Sequence, residues 1–535
     1  MLEDLNTVNE KCSFFDPIVL SKTRMGTHES GKDFVFRYFD PFADQVFVVG
    51  SFNGWSHSHP MQRSPKGVWT ASIAQKDSLA GSKYKYMVLC DGEQRYVTDP
   101  YGDATDGAPY HNSVICKAKG CIWNDGSYPD PDDSMYGNGF DGQPLHVYEI
   151  GLDGWCTDRQ ATETYKHAAT ELSVYARQMG YTHVLVNDVF VRRCDWDRGA
   201  HTVEYYAPNE RFGDADAFRC FVDVMHRARI GVIVDWNFDN GQDIYSKYGV
   251  SSDVVLHWMH IYHIDGVALT VKDQNGACLA CELSREMRAV KRDAAVIVRG
   301  CGARMAQSGD CIVYDELCGE RLLSVFARGS DKTDELQSAL AIGKGNIVGF
   351  GKERYIGLLP GDEWRMFARA RAAFCSLMTL GGKKHTYMGC EIGMTDAGRV
   401  DWTVLDGAYN AGLQLCCSDI GEIYLAHPSL WRNIGVEVLD DSHLNDGVVL
   451  FERCHGNERI LVLVNASVNA YENRAFFVGE RGTYDEIFNS DSECYCGSGV
   501  TNKKTMRTVS VEGRAVLTSV QVPPLAVAVF KERPK

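Results

Sequence analysis

The hydrophobic pattern changes period twice along the chain. From Phe34 to about Cys116, short runs rich in aromatic and β-branched residues (FVFRYF, QVFVVG, GVWTASI, YKYMVL, QRYVTD) alternate with turn signals at Asn53-Gly54, Lys66-Gly67 and Asp91-Gly92. That pattern predicts a β-sandwich. Residues 117–144 are rich in Gly, Asp and Pro and predict an irregular connection. Strand-like runs then recur as LHVYEI (145–150), HVLVND (183–188), GVIVDW (231–236), GVALTV (266–271), AAVIVR (294–299), CIVYDE (311–316), GNIVGF (345–350) and HTYMG (385–389). Amphipathic stretches with apolar residues at i, i+3, i+4 and i+7, such as ADAFRCFVDVMHRARI, separate them. Apolar strands alternating with helices predict a parallel sheet covered by helices, and eight such units predict a (β/α)8 TIM barrel. The sixth strand is the weakest of the eight. From about Gly435 the period returns to two, through VVLFER, RILVLVNAS, FFVGE, TYDEIFNS, MRTVSVEG, VLTSVQV and the terminal PPLAVAVFK, which predicts a second sandwich.

The predicted organisation is therefore an N-terminal arm (1–30), a β-sandwich module (31–117), the barrel (118–434) and a C-terminal all-β sandwich (435–535). Composition suits large cores: 44% of residues are hydrophobic and 24% charged. A formal net charge of −16 argues against nucleic acid and anionic membrane surfaces, which need a cationic face. The opening MLEDLNTVNEKCSFF lacks a basic stretch followed by an apolar one, and apolar runs such as GVIVDW fall far short of the roughly 20 residues a spanning helix needs. The expected location is cytoplasmic. Nineteen cysteines are scattered without framework spacing, and Cys278-Leu-Ala-Cys281 has no second pair at zinc spacing. They read as reduced thiols, with no metal and no cofactor expected.

Specific stretches carry a resemblance. VFVVGSFNGW (46–55), GVW (67–69), YKYMV (84–88) and TDPY (98–101) look like the starch- and glycogen-associated carbohydrate-binding module that precedes branching enzymes. HVYEIGLDGW (146–155), the stretch 204–236, YHIDGV (262–267), LLPGDEWRMFARARAAF (358–374), GGKKHTYMGCEIG (381–393), VDWTVLD (400–406), HPSLW (427–431), FNSDSECYCGSGVTN (488–502) and PPLA (523–526) follow in the same order. Together they resemble bacterial-type glycogen (1,4-α-glucan) branching enzymes of glycoside hydrolase family 13. The resemblance implies cleavage of an α-1,4 glucan and transfer to a 6-hydroxyl through a covalent intermediate. Such a retaining mechanism needs a carboxylate nucleophile and, about 5 Å away, a carboxylic acid that later serves as base.

The carboxylates that the resemblance implies are absent. Thr270 takes the nucleophile's place and Ala268 that of the arginine that orients it. Arg299 takes the place of the acid, and a guanidinium stays protonated at any working pH. Counting back from Pro360-Gly361-Asp362, the His-Asp pair expected after strand seven becomes Gly345 and Asn346. The histidine closing the third-strand motif becomes Asn240, and an aromatic platform expected near strand two becomes Ala200. Asp273 is the nearest carboxylate to the nucleophile position. Arg299 can also be read as a cation presented to an anionic ligand, or as an exposed residue at a strand end.

Binding residues are expected at Asp235 and Asn240 in the barrel and at Trp55 and Trp69 in the module, since aromatic faces suit the apolar faces of sugars. Lys85 is a weaker candidate beside them, and 488–499 reads as a packing motif. The expected function is that of a branching-enzyme-like protein of glycogen or starch metabolism that has lost catalysis. It would bind α-glucan or scaffold a protein partner. The alternatives are an active transferase with relocated acids, Asp273 first, and an interaction protein with no carbohydrate ligand.

Overall fold

A computed structural model of the chain describes residues 25–74, 79–106, 110–116, 123–125, 142–156, 164–192, 202–204, 206–236, 251–300, 311–328, 346–350, 356–395, 398–432, 436–440, 443 and 446–534. The N-terminal module contains β1 (Gly26–Ser30), β2 (Asp33–Phe39), β3 (Gln45–Gly50), β4 (Gln62–Arg63), β5 (Val68–Ala74), β6 (Lys83–Cys90), β7 (Glu93–Val97) and β8 (Ser113–Val114). They form two antiparallel sheets, β1-β2-β5-β4 and β3-β6-β7 with β8 against β6. Alternation decides which face is buried: in β2, Phe34, Phe36 and Tyr38 point into the core while their neighbours are half-buried.

The barrel consists of β9 (His146–Gly151), β10 (His183–Asn187), β13 (Gly231–Trp236), β14 (Gly266–Thr270), β15 (Ala295–Arg299), β16 (Ile312–Asp315), β17 (Asn346–Phe350) and β18 (Lys383–Tyr387). A short hairpin of β11 (Val191–Arg192) and β12 (Thr202–Glu204) follows β10. All eight barrel pairings are parallel, and β18 pairs with β9 to close the ring. The weakest strand in the sequence, the sixth, is also the shortest, with four residues. Strands such as GVIVDW are buried along their whole length because helices cover the outside while side chains fill the inside. Leu145, Val147, Leu185, Ile233, Ala268, Ile297, Ile312 and Ile347 form that inner plug. Caps set helix starts as local chemistry dictates: Asp214 accepts from the Ala217 N–H at the head of the helix Ala215–Arg227 (2.8 Å), and Asp362 does the same for the Arg365 N–H (2.9 Å).

The C-terminal sandwich runs from β19 (Glu437–Asp440) through β20 (Val448–His455), β21 (Glu458–Asn465), β22 (Tyr471–Val478), β23 (Thr483–Asn489), β24 (Thr505–Val511) and β25 (Arg514–Val522) to β26 (Ala526–Glu532). The stretch 488–499 does pack it onto the barrel. Tyr495 donates its hydroxyl to Asp419 (2.5 Å), the buried Arg371 donates Nε to the Ser490 carbonyl (3.0 Å), and a Cβ on Gly412 would strike the Tyr495 carbonyl.

The N-terminal module is tied to the barrel by Glu210, which accepts from the Thr105 hydroxyl (2.6 Å), and by ring contact between Tyr101 and Tyr206. Of the connecting stretch, Trp123 stacks on His263, and Asp125 accepts from both His226 and His263. Residues 1–24, most of 117–141, Ala200, Asn240 and Gly345 lie outside the described residues.

Candidate functional site

Barrel strands present every second side chain inward, so the alternation that buries Val147, Leu185, Ile233, Ala268 and Ile297 places Glu149, Asn187, Asp235, Thr270 and Arg299 one step nearer the C-terminal mouth. Thr270 and Arg299 are paired in register on neighbouring strands. Arg299 is neither an exposed strand end nor an open anion site. Its Nη1 lies 3.2 and 3.1 Å from the two carboxylate oxygens of Glu149, and its Nη2 lies 2.5 Å from Asp235 Oδ1. Glu149 is on the first strand of the ring and Arg299 on the fifth, so the guanidinium crosses the barrel to reach it.

The neighbours make that reach possible. Ala268 and Thr270 are small, and they stand on the strand between Asp235 and Arg299. Glu149 is further held by Asn187 Nδ2 (2.9 Å to Oε1) and by His385 Nε2 (2.8 Å to Oε2). Burial alone would depress the Arg299 pKa, but the Asp235 and Glu149 carboxylates outweigh it and push the pKa well above the ordinary arginine value. The mouth thus holds two carboxylates bridged by one permanent cation, with an amide and an imidazole at its edge.

Position by position, the expectations fare differently. Asp235 is buried and its Oδ1 is taken up by Arg299. Asn346 is not brought to the mouth. It opens β17 at the N-terminal end, opposite Val313, because the β-branched run Ile347-Val348 continues as strand from there. At the mouth end of β17 stands Gly349, where a Cβ would lie 2.5 Å from the His385 carbonyl and 2.9 Å from its Nδ1. No side chain fits there without moving β18. Asp273 is exposed and caps the helix Gln274–Val290, accepting from the Gly276 N–H (2.9 Å). That role ties its carboxylate to the helix end.

Trp69 must be withdrawn as a sugar contact. Only 4% of it is exposed, its Nε1 donates to the Asp40 carbonyl (2.8 Å), and it packs among Phe34, Phe36 and Tyr38, with no free ring face. Trp55 is 38% exposed on the turn after β3, held by its N–H to the Gly50 carbonyl (2.8 Å). Strand register adds a residue not foreseen. Tyr96, 52% exposed, pairs with Met87 on the sheet whose β6 carries the half-buried Lys85.

Glu149, Asn187 and His385 were also missed. A signal was present for two of them, since Glu149 interrupts the apolar run VYEI and Asn187 directly follows VLV, whereas His385 sits among the polar residues of KKHT. Among the described residues, no group of three or more His, Cys, Asp or Glu is disposed to hold a metal, and no helix is long and apolar enough to cross a membrane.

Comparison with known proteins adds ancestry to this geometry. Residues 24–102 match the family model for carbohydrate-binding module 48 (isoamylase N-terminal domain), and residues 439–533 match the alpha amylase C-terminal all-beta domain. The chain is 27% identical to the 1,4-alpha-glucan branching enzyme GlgB of Methylococcus capsulatus, over 94% of this chain and 80% of that protein. It is 25% identical to the GlgB of Oceanobacillus iheyensis, over 95% of both. Among solved structures it is similar to the product complex of the glycogen-degrading pneumococcal virulence factor SpuA (TM-score 0.74, 12% identity, 99% of this chain and 72% of that one). The pullulanase of Bacillus acidopullulyticus is also similar (TM-score 0.70, 15% identity, 95% and 75%). At such identities the two structures speak to fold alone.

Proposed function

Starting from its place among relatives of the bacterial 1,4-alpha-glucan branching enzymes, we propose that this chain is a non-catalytic, cytoplasmic α-glucan-binding protein of glycogen or starch metabolism. The observation that carries the reading is the Arg299 guanidinium lying between Glu149 and Asp235, with Thr270 beside it. Retaining glycosyl transfer needs one ionised oxygen free to attack the anomeric carbon and a proton donor opposite it. Here the acid position bears a group that cannot release its proton, and the nucleophile position bears an uncharged hydroxyl. Losing one member of a catalytic unit commonly costs about 10⁴–10⁶ in rate, and losing both removes the covalent route.

Glu149 and Asp235 are the observation that favours the active alternative, since two acids do face the mouth. Arg299 separates them, and a carboxylate bonded to a guanidinium is a poor nucleophile and holds no proton to give. The reading places binding at the module, where the exposed rings of Trp55 and Tyr96 offer stacking faces.

Two measurements test the proposal. Purified protein incubated with amylose and then debranched should yield no α-1,6 linkages above a heat-killed control, and any excess ends the non-catalytic reading. Affinity gels containing glycogen should retard the protein. Absence of retardation, with a stable partner in pull-downs, would leave the interaction-protein alternative.

A further inference from the structure

Outside the barrel mouth, two thiols touch on the barrel wall, and a third lies one helical turn from them. The helix Gln274–Val290 carries Cys278, which is exposed, and one turn later Cys281, which is half-buried. Cys311, buried, immediately precedes β16, and its Sγ lies 3.9 Å from Cys281 Sγ. That is van der Waals contact between sulfurs, and a disulfide needs about 2.05 Å, so a closing movement of roughly 2 Å joins them.

We infer that Cys278, Cys281 and Cys311 form a relay that takes an oxidising equivalent at the surface and stores it as a buried Cys281–Cys311 disulfide. With hydrogen peroxide as oxidant, the Cys278 thiolate attacks one peroxide oxygen, the O–O bond breaks, and Cys278 becomes a sulfenic acid as water leaves. The Cys281 thiol displaces the sulfenic oxygen as a second water, forming a Cys278–Cys281 bond. Cys311 then attacks Cys281 sulfur, the Cys281–Cys311 bond forms, and Cys278 returns as a thiol. Two thiols and one peroxide give one disulfide and two waters.

The direction of transfer follows from geometry. Residues i and i+3 on a helix have Cβ atoms about 5–6 Å apart, whereas a relaxed disulfide holds them near 3.8 Å. The first bond is therefore strained and exchanges onward, while the second joins side chains already in contact. The product closes a covalent loop through β15, the strand that bears Arg299, and ties the helix after Thr270 to the entry of β16. It constrains the unfolded chain more than the folded one, so the oxidised protein should melt at a higher temperature.

The test uses the full-length reduced protein and one equivalent of hydrogen peroxide, followed by non-reducing peptide mapping and thermal melting. The expected result is a Cys281–Cys311 cross-link and a raised thermal midpoint that dithiothreitol reverses. Cys278→Ser should slow formation on the order of tenfold without preventing it. Cys311→Ala should stop the reaction at a Cys278–Cys281 cross-link with no gain in midpoint, and Cys311→Ser provides a second variant if alanine impairs folding. Mapping that finds Cys281 and Cys311 as free thiols or as separate sulfinic acids, or places the cross-link elsewhere, for instance at Cys375 and Cys416, overturns the relay. An unchanged rate in Cys278→Ser overturns its role as the entry thiol.

Discussion

Arg299 and Glu149 meet at the centre of the barrel although 150 positions separate them in the chain, one of the Arg299 N–H groups lying 3.1 Å from Glu149 Oε2. The contact gathers two carboxylates, Glu149 and Asp235, around a single cation, so that neither stands free at the mouth. The long cation from β15 reaches across the axis because Ala268 and Thr270, on the neighbouring β14, are small and leave room.

Removing that cation should cost stability before it changes any binding. Arg299→Met leaves Glu149 and Asp235 facing one another without a counter-charge, and breaking a buried pair in this way costs about 3 kcal/mol. Urea denaturation of the barrel would measure it. A loss below about 0.5 kcal/mol would mean that water already screens the site.

Restoring the expected acids alone should fail. Thr270→Asp combined with Arg299→Glu would place new carboxylates beside Glu149 and Asp235 with no cation among them. We expect a poorly folded protein with no α-1,6 linkage formation. Adding Ala268→Arg should recover the thermal midpoint, because the inward face of β14 then supplies the missing charge.

The two module tryptophans should separate cleanly. Trp69→Ala empties a core position and should destabilise the module by about 3–5 kcal/mol. Trp55→Ala should leave its melting unchanged and lower retardation in glycogen gels. Equal retardation of Trp55→Ala and the parent would remove the ring from the binding face.

Below the barrel, both ring nitrogens of the buried His226 touch carboxylates, Nδ1 at 3.1 Å from Asp125 and Nε2 at 2.9 Å from Asp265, so the ring needs both protons. Burial opposes this charge, but the Asp265 charge and the two hydrogen bonds outweigh it and raise the histidine pKa. A raised folded pKa gives stability that is complete below the unfolded value near 6.5 and lost as pH rises through the folded one. His226→Gln should accordingly destabilise the protein more at pH 6 than at pH 9. A pH-independent difference would contradict the assignment.

Asp99 in the module works in the same sense, although it is an acid. Burial lifts its pKa to about 6 despite hydrogen bonds from the Tyr84 and Tyr86 hydroxyls. The unfolded chain gives up this proton first, so the module should lose about 2 kcal/mol between pH 4 and pH 6, provided other groups are matched in an Asp99→Asn control. Parallel melting profiles of the two proteins over that window would refute it.

Local chemistry made much of this molecule legible in advance. Period-two runs, Asn-Gly and Asp-Gly turns and helical amphipathy are properties of neighbouring residues, and they placed both sandwiches and all eight barrel strands. The identities of Thr270 and Arg299 and their strand-end positions were readable for the same reason, as adjacent apolar strands anchor them. Asn346 was misplaced because counting from a distant Pro-Gly-Asp assigns a loop length, whereas the start of β17 depends on pairing with β16 and β18. Whether Trp69 faces solvent or core, and that Glu149, Asp235 and Arg299 share one point in space, depended on sheet packing and ring closure. Those bring residues of unrelated sequence position within 3 Å, and no local period encodes such a meeting.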